Sequence, residues 1–138
     1  MKFGRTIRRL REEKNISIAQ FAKKVGMSPT YLAPIERDVF PPPAEEKVIR
    51  IARALEQDPD ALLALAGRIA SDLHRIIRKQ PTQAARLLRA VDGLPIREIE
   101  RLVVLARKRR TPGAMVKRTN GVRGTIRRVR SAQAKLQL

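Results

Sequence analysis

The side chains of this chain best equipped for chemistry are its cations. Thirty-one Lys and Arg stand against 13 Asp and Glu, a formal net charge of +18 over 138 residues, so the expected partner is a polyanion. One short segment, Ile16 to Arg37 (ISIAQFAKKVGMSPTYLAPIER), gathers the groups that would hold one: the hydroxyls of Ser17, Ser28 and Tyr31, and the cations Lys23, Lys24 and Arg37. Hydroxyls, cations and free amides at helix starts bind phosphate oxygens without making a bond. Bond-making chemistry has little to work with. Cysteine is absent and His74 is the single histidine, which excludes disulfides, thiolate metal sites and histidine cages. Glu12-Glu13 and Glu45-Glu46 fall at helix positions, no Gly-rich loop precedes a helix, and no nucleophile has a base at a meaningful spacing. An enzyme is the class least expected, and neither a metal nor a cofactor is implied. The aromatic residues are only Phe3, Phe21, Tyr31 and Phe40, too few for the stacking platform of a sheet-based single-strand binder. Duplex or backbone binding fits better.

The elements that must position these groups are helices. Apolar residues recur at helical spacing with no long alternating run, so the fold class is all-α. Phe3, Ile7 and Leu10 give a first helix its stripe, with Asn15 as its stop. Ser17 stands where an N-cap belongs, and Ile18, Phe21, Ala22 and Val25 form a second, short helix closed by Gly26. Ser28-Pro29 starts a third at once, since proline at the first helical position loses no needed hydrogen bond. The turn between the second and third is then about three residues long. Pro41-Pro42-Pro43 is a stiff connector to Ala44-Glu45-Glu46, whose carboxylates favour a helix start. Val48, Ile51, Ala52 and Leu55 mark that helix, and Asp58-Pro59 opens another, with Leu62, Leu63 and Leu65 apolar and Gly67 as the stop. Ser71-Asp72, Pro81 and Pro95 begin three more.

A bihelical unit of this kind buries its inner faces and leaves the second helix protruding, thin enough for the major groove, which is ~12 Å wide. On Phe21-Ala22, Val25-Gly26, Ser28, Tyr31-Leu32 and Ile35-Glu36-Arg37, residues 3–66 resemble the lambda-repressor-like, XRE-type helix-turn-helix regulators. The resemblance implies a five-helix DNA-binding domain, a structural ion pair between Arg11 and Glu36, and a base-facing set of Pro29, Thr30, Ala33 and Pro34. Ser17, Lys23, Lys24, Ser28, Tyr31 and Arg37 would then meet the DNA backbone. Three positions depart from the family pattern. Ile18 stands where a phosphate-holding glutamine is common, which leaves more of that work to Ser17 and backbone amides. Asp38 replaces a glycine, so the turn differs or a non-glycine residue takes an unusual conformation. Pro34 lies inside the third helix, where it removes a backbone hydrogen bond, so that helix should be kinked or short. Of the four base-facing residues only Thr30 donates a side-chain hydrogen bond; Ala33 and Pro34 offer methyl contacts to thymine.

The organisation expected is residues 1–67 as the DNA-binding domain, 68–110 as C-terminal helices forming a dimerisation or partner surface, and 111–138 as a flexible basic tail. Residues 101–138 hold twelve of the Lys and Arg and none of the Asp or Glu, a composition break that favours a nucleic-acid clamp for the tail. Ile96, Ile99, Val103 and Ala106 form a seam on the last helix, widened by Leu102 and Leu105. The longest apolar run, Ala61 to Gly67, is far short of the ~20 residues that cross a bilayer. A cytoplasmic, nucleoid-associated repressor that binds double-stranded DNA as a homodimer is the leading expectation. The alternative is an antitoxin-like module whose C-terminal helices hold a toxin or metallopeptidase. A third possibility is non-specific nucleic-acid binding by charge alone.

Overall fold

The computed structural model describes residues 2–110; the tail expected over 111–138 lies outside the described residues. Those residues form helices α1 (Phe3–Glu13), α2 (Ile18–Val25), α3 (Pro29–Glu36), α4 (Glu45–Ala54), α5 (Pro59–Leu65), α6 (Ser71–Lys79), α7 (Pro81–Val91) and α8 (Ile96–Arg109), with no strand among them. The all-α class is therefore what the chain adopts.

Local chemistry sets most of the boundaries. Lys14 ends α1, and Asn15 follows in the left-handed region at φ 54°, a conformation asparagine accepts more readily than most side chains. Ser17 caps α2 through a reciprocal pair: its Oγ accepts from the Gln20 amide at 3.2 Å, and its own amide donates to Gln20 Oε1 at 2.9 Å. This capping box satisfies two of the amides a helix start leaves open. Gly26 closes α2 at φ 68°, where a side chain would be strained. Ser28 Oγ accepts from the Tyr31 amide and Asp58 Oδ1 from the Ala61 amide, capping α3 and α5 ahead of their first-position prolines.

The core is assembled from one face of each of the first five helices. Ile7, Phe21, Leu32, Ile51 and Leu55 are fully enclosed, and α1 packs on α3, α2 on α3 and α4, and α4 on α5. Ala22, fully buried on α2, is small enough to let its neighbours approach. The chain divides into two compact units, one running to Ala84 and the other beginning at Ala85. The first reaches past Gly67 because Ala70 and Leu73 pack against the same core, while Glu45 Oε1 accepts from the Ser71 amide at 3.1 Å and its hydroxyl at 3.0 Å. In the second unit α8 has no buried residue, and Ile96, Leu102, Val103, Val104 and Leu105 are exposed.

Candidate nucleic-acid interface

The inner faces of α2 and α3 are wholly enclosed through Phe21, Ala22, Val25, Leu32 and Ile35. What α3 leaves outside is a narrow face of Pro29 and Thr30, both exposed, with Ala33 and Pro34 half-buried and Arg37 exposed at its end. Gly26, Met27 and Ser28 are the whole connection between the two helices, so the start of α3 and the start of α2 belong to one small, rigid unit. Ser17 and Ser28 are both exposed. Each uses its oxygen as a cap and keeps its hydroxyl hydrogen free to donate. Lys23 and Lys24 lie exposed in the last turn of α2.

A buried ion pair fixes α3 to α1. Arg11 Nε donates to Glu36 Oε1 at 2.7 Å and Nη2 to Oε2 at 2.9 Å, while Nη1 donates to the Ile16 carbonyl at 2.8 Å. Glu36 is 3% exposed and the Arg11 side chain 11%. The bond to Glu36 holds the Arg11 guanidinium above its ordinary pKa, against the opposing effect of burial. The two-pronged geometry fixes orientation as well as distance, and so settles where the last turn of α3 stands.

Residues 4–68 match the model of a family described as a helix-turn-helix domain. The N-terminal half of this chain belongs to that family. Among solved structures, the master regulator for biofilm formation SinR, in complex with DNA, is 30% identical; the match covers 44% of this chain and 97% of that one, with a TM-score of 0.42. A SinR protein/SinI protein complex is 20% identical, covering 78% of this chain and 96% of that one, with a TM-score of 0.44. Among curated proteins none matches.

Within the helix-turn-helix domain, the departures from the family pattern have definite outcomes. α3 is eight residues long with Pro34 inside it, a short helix, as a missing amide in its interior favours. Asp38 accepts the left-handed conformation, φ 57°, and puts its carboxylate to use. Oδ1 accepts from the Gly4 amide at 2.7 Å and Oδ2 from the Arg5 amide at 3.3 Å. Lys2, the N-cap of α1, offers no side-chain cap, so α1 is capped by a residue from the turn that follows α3. The negative charge also suits the positive end of the α1 dipole. Gly4 is what permits the approach: a Cβ there would collide with the Ile35 carbonyl oxygen and come within 2.7 Å of Asp38 Oδ1.

Sequence reasoning passed over Gly4, the capping role of Asp38, Gln20 and Lys47. The spacing Ser17-x-x-Gln20 was a readable sign of the capping box. No comparable sign marked Lys47, whose Nζ lies 4.6 Å from the centroid of the Tyr31 ring, bringing a cation from α4 to the half-buried tyrosine of α3.

Proposed function

We propose that this chain is a DNA-binding transcriptional regulator, a repressor that occludes its target as a homodimer with α3 in the major groove. The observation that carries the reading is the exposed outer face of α3, held on a unit whose inner side is entirely core. An α-helix with its side chains is about 10–12 Å across, which matches a groove of ~12 Å. On this reading Pro29, Thr30, Ala33 and Pro34 face the bases. Ser17, Lys23, Lys24, Ser28, Tyr31 and Arg37 meet phosphates, and Lys47 adds a cation beside Tyr31. Arg11 and Glu36 serve as the frame. SinR, the 30% identical relative, is described as a master regulator in complex with DNA, which supports the same role here.

The exposed apolar side chains of α8 are the reason to expect a dimer. They equally favour a second reading, in which the C-terminal helices hold a toxin or metallopeptidase and DNA binding is secondary. Sedimentation of the full chain separates the two, since a regulator of the first kind dimerises alone and one of the second co-purifies with a stoichiometric partner. The test of the function itself is a gel shift on the DNA upstream of its own gene. Specific binding, with half-sites about 34 Å apart for a dimer, is the expected result; binding no tighter than to shuffled DNA overturns the assignment. Removing residues 111–138 should flatten the slope of log affinity against log salt and leave sequence preference intact.

A further inference from the structure

We infer that Val39 and Phe40 form a rigid apolar prow that contacts thymine methyl groups beside the base pairs met by α3, an inference that rests on the DNA-binding reading above. Within residues 4–68 these are the exposed large hydrophobic side chains, Val39 at 67% and Phe40 at 47%. An exposed apolar side chain by itself is unremarkable. Here, however, two adjacent ones are held in place by bonds on both sides.

On the near side, Asp38 is tied to the first turn of α1 through the Gly4 and Arg5 amides. The Pro34 carbonyl accepts from both following amides, Val39 at 2.9 Å and Phe40 at 3.2 Å, so the backbone of the pair is folded against a residue assigned to the base-facing set. On the far side come Pro41, Pro42 and Pro43, whose rings fix the chain. Arg68 clasps this connector, donating from Nη1 to the Pro43 carbonyl and from Nη2 to the Pro42 carbonyl at 3.3 Å. The backbone of a short segment anchored in this way loses little freedom on binding, so contact made by its side chains is offset by little backbone-ordering cost.

The apolar groups that a duplex offers beside a helix in the major groove are the thymine C5 methyls. Charge favours DNA over a protein surface as the occupant. Arg37, exposed and without an ion pair among the described residues, lies two positions before Val39, and Arg5, its side chain 76% exposed, stands 3.8 Å from Asp38 Oδ2 and offsets the carboxylate that separates Arg37 from the pair. Cations flanking an apolar contact suit a methyl-bearing base edge bordered by phosphates.

The experiment uses the full chain and needs no known operator. The wild-type protein first selects a duplex from random DNA, and each thymine in that duplex is then replaced singly by deoxyuridine, which deletes only the methyl. At one or more thymines flanking those sensitive to Thr30→Ala, wild type should lose about fourfold in affinity per methyl. Phe40→Ala or Val39→Ala should bind more weakly and no longer respond to that replacement, while still responding to replacements beneath α3. Wild-type affinity and an unchanged deoxyuridine profile in both variants overturn the inference. So does a change in oligomeric state without a change in the profile, which would place the pair in a protein interface. If the wild type selects no duplex at all, the DNA-binding reading fails first and this one with it.

Discussion

Replacing Arg11 by methionine tests how α3 is held. The substitution keeps most of the buried volume and removes three hydrogen bonds, two to Glu36 and one to the Ile16 carbonyl. Glu36, 3% exposed, is left as an uncompensated charge in the interior. Breaking a buried pair from one side in this way costs about 3–5 kcal/mol, a large share of the stability of a small domain. The melting temperature should fall by on the order of 12–20 °C. Thermal or urea unfolding of Arg11→Met at neutral pH reads the loss. The double variant Arg11→Met/Glu36→Leu, which removes the charge as well, should recover most of it. A loss below about 1 kcal/mol in the single variant, the size of an exposed pair, would refute the reasoning. So would a double variant no more stable than the single one.

Further substitutions address the contact between the ends of α1 and α3 and the proposed reading face. Gly4→Ala should destabilise by about 2 kcal/mol in thermal unfolding through overpacking, although alanine is the better helix former; a rise in melting temperature would show that α1 does not approach Ile35 closely. Asp38→Ala loses the cap of α1 and keeps the left-handed strain, costing about 1–2 kcal/mol, whereas Asp38→Gly loses the cap and relieves the strain, so urea midpoints should rank the alanine variant below the glycine one. In titrations with the selected duplex, Thr30→Ala should weaken specific binding by about 1 kcal/mol or more with no change in melting temperature. Pro34→Ala restores an amide to the interior of α3 and should alter the profile of selected sequences; an identical profile would show that residue 34 does not face DNA.

Much of the helix-turn-helix domain was legible because its signals are local. A serine ahead of an apolar run, a glycine behind one and a proline at a first helical position each act within one turn, and they set the bounds of α2, α3 and α5. What was not legible is how distant elements meet. Asp38 reads in the sequence as a turn residue out of the family pattern, and Gly4 carries no signal of its own. Only the fold shows that each explains the other: the missing Cβ at position 4 admits the end of α3, and the carboxylate at 38 then serves the amides that this approach would have left without partners. The clasp of Arg68 on the Pro42 and Pro43 carbonyls is hidden for the same reason, since nothing in a basic residue after a helix states which carbonyls it will find.

The same reasoning explains why the C-terminal helices were harder to assign than the N-terminal ones, although their apolar spacing is just as regular. Periodicity reports that a helix has an apolar face; it does not say what covers it. For α2 the cover is α3 and α4, in the same chain. For α8 the periodic residues Ile96, Leu102 and Val103 stay exposed, at 74%, 40% and 43%, although the spacing of Ile96, Ile99, Val103 and Ala106 is that of a packing seam. A stripe of this kind left open on a helix is what a partner surface requires. Regular spacing and absent burial together, which neither sequence nor fold supplies alone, are therefore the reason to look for the regulator's second surface on α8 and its first on α3.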